Sequence, residues 1–374
     1  MVSTKSITVQ WLGDIALTAQ FHDHANHHLL EENRAFLRSN LEPADLRIAN
    51  WEAPLLGDEG LNPLKRIALY TDFETASKTV SLDLDVAIVA NNHIFDSLES
   101  GYARTISFLT TSGIQSVGAG RSEGEASDPL HIDVKGVPIT VLAYVGDDTH
   151  PRVPPQRSMY LNRLEPDRMI QEVRKWAHSS RVVLVHLHCG MDFLSLPAPE
   201  HRKLARRLVQ EGAVVVACYH PHRLQGYERY GRGCIFYGLG NLIAGNIYPW
   251  PRFTEPTVAV TCDLSDGQVL DLRIQHLLLR RGRLELDQKE RGNRMYRRHN
   301  RKIAVPDEKK YARYWYRALA ADLAVTRPLH FIRRHRNPLS MLAALEKRHF
   351  SEYGRLVKRM LKKVFAFGTA RKTS

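Results

Sequence analysis

The sequence predicts a layered α/β fold. Short apolar, β-branched runs alternate with longer segments of helical spacing through residues 7–274, as strands and helices stacked in layers do. Five of these runs end directly in polar clusters: Gly13-Asp14, Asn50-Trp51-Glu52, Asn91-Asn92-His93, His186-Leu187-His188 and His220-Pro221-His222. Hydrophobic residues make up 43% of the 374 and charged residues 25%. That is ordinary globular composition, and it excludes a wholly disordered or fibrous chain.

The elements follow in order. Ile7–Leu12 reads as a strand ending at Gly13-Asp14, and Leu29–Leu41 has helical spacing. Leu46–Ala49 is a short strand, and Asp85–Ala90 a buried one that runs into Asn91-Asn92-His93. Tyr102–Thr111 is a helix closed by Ser112-Gly113. Ile114–Val117 and Val137–Tyr144 are strands, the second after a Lys135-Gly136 turn. Asp167–His178 is a helix, Val182–His188 a strand, and Pro199–Glu211 a helix with Gly212 as its C-terminal cap. Val214–Cys218, Cys234–Tyr237, Val258–Asp263 and Val269–Ile274 complete the strands. Beyond residue 280 the pattern turns helical, over roughly 307–325 and 339–365.

Charge divides the chain unevenly. Residues 1–279 hold 26 Lys/Arg and 32 Asp/Glu, and residues 280–374 hold 27 Lys/Arg and 8 Asp/Glu. A shift this sharp places a boundary near residues 275–300, with Arg280-Arg281-Gly282-Arg283 as a hinge. Two parts are therefore expected: a domain over 1–279 and a basic, mainly helical extension over 280–374. Four cysteines lie far apart without a Cys-x-x-Cys pair, so neither a disulfide framework nor a structural zinc site is expected, and a reducing compartment fits. No apolar run reaches the roughly 18 residues of a membrane-spanning helix. The first residues show no basic stretch followed by an apolar segment, so no signal peptide is expected. The expected location is cytoplasmic, with the basic extension as a route to the membrane surface.

In α/β sheets, ligand sites gather beyond the C-terminal ends of strands. Five strands ending in Asp, Glu, Asn and His thus point to one shared pocket. Its mixed oxygen and nitrogen donors suit Mn, Fe, Zn or a similar divalent ion rather than a thiolate-selected metal. Such a set can hold one ion or two, with a carboxylate bridging a pair. His186 and His188, two apart on a strand, point to one face, and Pro221 limits how His220 and His222 can turn.

With these residues in place, the sequence resembles the CapA family, the poly-γ-glutamate capsule-synthesis proteins of the calcineurin-like metallophosphatase superfamily, over about residues 7–265. Val86-Ala-Ile-Val-Ala-Asn-Asn-His93 with Asp96 is similar to the family's Ala-Asn-Asn-His-x-x-Asp signature. Asn50-Trp-Glu-Ala-Pro-Leu55 fits its Asn-Leu-Glu-x-Pro-Leu, and Gly118-Ala-Gly120 its Gly-Ala-Gly turn. Pro199-Glu200, His220-Pro221-His222, Gln225-Gly226 and Tyr237-Gly-Leu-Gly-Asn241 match further blocks. The resemblance implies a four-layer α-β-β-α sandwich with metal at its centre. It implies Asp14, Glu52, Asn92, His188, His220 and His222 as ligands, Glu52 bridging, and His93 with Asp96 as the catalytic pair.

Two departures stand out. The superfamily's Asp-x-His opening is Asp14-Ile15-Ala16 here, which costs one ion a nitrogen ligand. The aromatic usual after the ligand histidine is Cys189, read as a small residue lining the pocket. His186 is expected to support His188, and His22-Asp23-His24 with His27-His28 to form a solvated loop and helix start. The resulting expectation is a metal-dependent hydrolase of a phosphoester or a poly-γ-glutamate substrate, with His93 as acid. A metal-assisted peptide epimerase and a non-catalytic accessory subunit are the alternatives. The basic extension is expected to meet an anionic membrane surface or an anionic polymer, ahead of nucleic acid.

Overall fold

The computed structural model describes residues 6–78, 82–155, 158–180, 182–245 and 254–323. Its strands, in chain order, are β1 (Ile7–Ala16), β2 (Leu46–Trp51), β3 (Val86–Ile88), β4 (Gln115–Val117), β5 (Ala119–Gly120), β6 (Leu130–Val134), β7 (Val137–Val145), β8 (Tyr160–Leu161), β9 (Val182–His188), β10 (Val215–Tyr219), β11 (Leu224–Tyr230), β12 (Gly233–Leu239), β13 (Asn241–Ala244), β14 (Thr254–Ser265), β15 (Gln268–Arg280) and β16 (Arg283–Leu286). The helices are α1 (His27–Asn40), α2 (Phe73–Ser77), α3 (Leu98–Thr111), α4 (Glu123–Ser127), α5 (Pro166–Ser179), α6 (Pro199–Gln210), α7 (Arg291–Ile303) and α8 (Glu308–Ala321).

Two sheets carry the fold. The first runs β16-β15-β14-β1-β2-β3-β4, with β13 also paired to β1. The second runs β11-β12-β10-β9-β7-β6. In the first sheet β1 to β4 are parallel, and in the second β7, β9, β10 and β12 are parallel. Parallel neighbours need crossovers, and these bring helices onto the sheet faces. Leu30 and Leu37 of α1 and Phe108 and Leu109 of α3 pack with Ala49 and Ala87 of the first sheet. The buried residues of α5 (Met169, Val173) and α6 (Leu204, Ala205, Leu208) belong to helices lying on β9 and β10. Between the sheets, Val9, Trp11, Ile48 and Ile88 meet Val141, Leu184, Val215 and Phe236. The four-layer α-β-β-α order is thus present. It forms because near-continuous apolar strands must be covered on both faces.

The charge change at residue 280 falls inside a hairpin. Arg280 pairs with Arg283 across the β15–β16 turn, and Arg281 (φ 52°) and Gly282 (φ 83°) both take left-handed backbone. That is the two-residue turn that joins twisted antiparallel strands tightly. A tight ladder turn cannot serve as the expected hinge. The compact unit continues to Tyr311, and a second begins at Ala312. Within the first unit, α7 turns Tyr296, His299 and Ile303 inward while its arginines face out. Asn300 Oδ1 accepts from Tyr227 N–H at 2.8 Å, and His299 Nδ1 lies 3.1 Å from the Leu224 carbonyl. Buried Arg202 of α6 donates to the Val305 carbonyl at 2.5 Å and stacks 4.1 Å from the Tyr311 ring. The expected helix near 307–325 is observed as α8, whereas the one over 339–365 lies outside the described residues.

Gly13 decides where the β1 end can lie. A Cβ there would stand 2.0 Å from the Gly240 carbonyl oxygen, which accepts the Asp14 N–H at 3.0 Å. The neighbour is backbone and cannot swing aside. Gly13→Ala should therefore cost about 3 kcal/mol, the upper end of overpacking penalties, in chemical denaturation. It should also weaken metal uptake by displacing Asp14.

Candidate metal centre

The centre is built from strand ends of both sheets. The first sheet delivers Asp14 from a bulge in β1, Glu52 just past β2, and Asn92 and His93 in the turn after β3. The second delivers His188 as the last residue of β9, and His220 and His222 just past β10. Both of the latter residues hold left-handed backbone, with φ 92° and φ 53°. Pro221 between them fixes the link, so the two rings stand 5.7 Å apart at 53°.

Glu52 occupies the middle. It is fully buried, and neither carboxylate oxygen has a hydrogen-bond partner among the described residues. Its Oε1 lies 3.7 Å from His222 Nε2 and 3.9 Å from His188 Nε2. Two groups of donor atoms share it: Asp14, Glu52 and His222, and Glu52, His188 and His220, with the atoms of each group within 4.8 Å of one another. Asn92 joins the second group through its Oδ1, 2.8 Å from His188 Nε2. All six residues singled out from the sequence therefore converge.

Electrostatics fit a cation. Burial pushes the Glu52 carboxyl up to about 8, opposed by the charge of His222 and assisted by that of Asp14. Burial opposes a proton on His222, but Glu52 and Asp14, the latter 3.2 Å away, hold it well above the ordinary histidine value. Burial drives His188 well below that value, and His220 down to about 4. Those two rings are neutral near pH 7 and offer lone pairs. A buried carboxylate without donors costs several kcal/mol, and a divalent ion would balance it. The donor set, two carboxylates, an amide oxygen and three imidazoles, is that of a borderline to hard divalent metal.

His93 and Asp96 lie beside this group. His93 Nδ1 and Asp96 Oδ2 are 2.5 Å apart. Asp96 also accepts the Leu69 N–H at 2.7 Å and pairs with Lys65 at 3.5 Å, and Lys65 donates to the Asn92 carbonyl at 2.7 Å. Burial lowers the His93 pKa, partly offset by Asp96.

Several participants escaped the sequence reading. Asn50 donates to Asp14 at 2.8 Å, and Asn91 donates to the Trp51 carbonyl at 2.8 Å. Asn241 Oδ1 lies 2.9 Å from His222 Nδ1, and Asp192 Oδ1 3.3 Å from His220 Nε2. Asn50, Asn91 and Asn241 all sit inside the quoted motifs, a signal that was available. Lys65 and Asp192 come from loops that carry no local pattern. His186 does not support His188. It stacks on Tyr219 at 5.9 Å, and its two nitrogens have no hydrogen-bond partner among the described residues. Residues two apart on a strand stand nearly 7 Å apart along it, too far for that contact. Cys189 is buried against Cys218 and His201, which raise and lower its pKa respectively; the net is well above the ordinary thiol value.

The site thus joins a two-sheet sandwich to one buried carboxylate shared by two groups of donor atoms. The chain belongs to the family described as bacterial capsule synthesis protein PGA_cap, which matches residues 8–246. It is similar to the capsule biosynthesis protein CapA of Bacillus anthracis, 25% identical over 285 residues, or 74% of this chain and 69% of that one. It is also similar to the PGA biosynthesis protein CapA of Bacillus subtilis (strain 168), 26% identical over 202 residues, or 54% of this chain and 53% of that one. Among solved structures, a 5'-nucleotidase precursor from Thermus thermophilus aligns with a TM-score of 0.46 and 14% identity, over 80% of this chain and 59% of that one.

Protons and metal compete for this centre. Burial raises the proton affinity of Glu52, and the carboxylates of Glu52 and Asp14 raise that of His222, so protons on this group compete with an incoming ion. Manganese or zinc affinity should therefore rise from pH 6 toward pH 8 and fall in acid, as read by calorimetric titration with proton release. Glu52→Gln keeps the shape and removes the charge. It should lower affinity at least about 100-fold, roughly 3 kcal/mol.

Proposed function

We propose that the chain is a metal-dependent hydrolase acting on an anionic, capsule-related substrate, a poly-γ-glutamyl amide or a phosphoester. The observation that carries this reading is Glu52, buried, without a donor among the described residues, and shared by two groups of ligand atoms. Asp14, Glu52 and His222 would hold one cation, and Glu52, Asn92, His188 and His220 a second. A divalent ion bound there supplies Lewis-acid polarisation and acidifies water to a pKa near 7.

The chain's own residues do the rest. Asn50 and Asn241 aim Asp14 and His222 inward. Asp96 fixes the proton of His93 on Nδ1 and leaves Nε2 as the working nitrogen. In its protonated form that nitrogen donates to the oxygen or nitrogen leaving the cleaved bond, and Asp96 stabilises the imidazolium. Lys65 holds Asp96 and the Asn92 turn together, which keeps His93 beside the ligand group. The names of the Bacillus relatives, capsule and PGA biosynthesis proteins, support a capsule-polymer substrate.

His93→Ala should lower kcat by about 10²–10⁴-fold, the range for a lost general acid, while metal content by mass spectrometry stays at the wild-type value. Loss of metal would make His93 a ligand instead. Assays on poly-γ-glutamate and on phosphoester panels in deuterium oxide separate the alternatives. Deuterium at an α-carbon without bond cleavage would mark an epimerase, and a metal-loaded protein inert on every substrate would mark an accessory subunit.

We also propose that the basic C-terminal region recruits an anionic polymer or membrane surface. Residues 324–374 alone hold 13 Lys/Arg and 2 Asp/Glu, and clustered cations gain about 1 kcal/mol each near an anionic surface. Removing residues 324–374 should abolish salt-sensitive binding to poly-γ-glutamate and to anionic vesicles in co-sedimentation. Unchanged binding after truncation would refute this.

A further inference from the structure

We propose that His24, His27 and Glu74 form a second metal site, distinct from the Glu52 centre, for zinc or a similar borderline divalent cation. His24 and His27 lie one turn apart where the chain enters α1, and their rings stack with centroids 4.7 Å apart. Glu74 belongs to α2. Its Oε1 lies 3.4 Å from His27 Nδ1 and its Oε2 3.5 Å from His24 Nδ1. One ligand atom from each residue falls within 4.8 Å of the other two.

The state of His27 is the stronger argument. This ring is buried, and its Nε2 lies 3.1 Å from the Phe21 carbonyl and 3.1 Å from Thr75 Oγ1. A carbonyl only accepts, so Nε2 carries the proton. The Thr75 hydroxyl is itself turned to acceptors, Asp72 Oδ2 at 2.8 Å and the Phe21 carbonyl at 3.2 Å. In the neutral ring, Nδ1 therefore presents a lone pair to the Glu74 carboxylate, which is also an acceptor. A cation between these two acceptors would satisfy both. A proton on His27 would serve that contact alone, whereas a metal ion satisfies His24, His27 and Glu74 together. A backbone carbonyl on the far ring nitrogen is also how metal-bound histidines are oriented.

Two imidazoles and a carboxylate are a zinc donor set, with water completing four-coordination. The side chains of His24 and Glu74 are 65% and 54% exposed, which leaves room for that water. The ion would clip the start of α1 to α2. The segment leading into α2 is the one whose Leu69 N–H holds Asp96 and whose Tyr70 carbonyl lies 2.9 Å from His22 Nε2. Bound zinc would thereby stiffen a loop that positions the His93–Asp96 pair.

The test is zinc stoichiometry on the full-length protein, by equilibrium dialysis against zinc chloride near neutral pH and elemental mass spectrometry. His24→Ala and Glu74→Gln change exposed side chains, and circular dichroism confirms their fold. Each should bind one zinc fewer per chain than wild type. Asp14→Asn, which acts at the other centre, should add its own loss to that of His24→Ala in the double variant. Wild-type stoichiometry in either His24→Ala or Glu74→Gln would overturn the proposal. Failure of the hydrolase reading would leave this result untouched, because the readout is metal content.

Discussion

A carboxylate buried without hydrogen-bond donors governs this architecture. Glu52 sits past the end of β2 with both oxygens sealed from water and without a hydrogen-bond partner among the described residues. Left ionised and alone it would cost several kcal/mol, and its proton affinity rises in consequence. The surroundings are arranged to receive positive charge. His188 and His220 are kept neutral by burial, Asp14 is steered by Asn50, and His222 is steered by Asn241. A strained, partly unsatisfied cluster of this kind is held in place by the folding energy of everything around it.

The contact between the sheets contributes to that energy. Asp14, Glu52 and Asn92 come from one sheet and His188, His220 and His222 from the other, so neither sheet contains the site alone. Trp11, Ile48, Val141, Leu184 and Phe236 lie in the shared core that sets the spacing. The β1–β13 pairing fixes the point where the strand ends meet, because Gly13 admits the Gly240 carbonyl at a distance no side chain would allow.

The strand ends were legible in the sequence for a simple reason. A buried parallel strand is a run of Val, Ile and Ala, and the first polar residues after it mark both its end and the place where ligands bind. Asp14, Glu52, Asn92, His188, His220 and His222 all carried that mark. Contacts made across long stretches of chain carried none. Lys65 reaches Asn92 and Asp96 from a loop without periodicity, and Asp192 reaches His220 in the same way. Charge was a poor guide to packing beyond residue 280. The arginines of α7 face outward, and its opposite face, Tyr296, His299 and Ile303, is buried in the compact unit that runs to Tyr311. Surface charge reports on partners, whereas burial is decided by the thinner apolar stripe beneath it.

The buried Glu52 carboxylate calls for a neutralising cation. Anomalous diffraction from crystals grown with manganese tests it directly. The expected result is a peak in contact with the Glu52 carboxylate, flanked by Asp14 and His222, by His188 and His220, or by both groups. A well-ordered, fully loaded crystal with no anomalous density at Glu52 would contradict it.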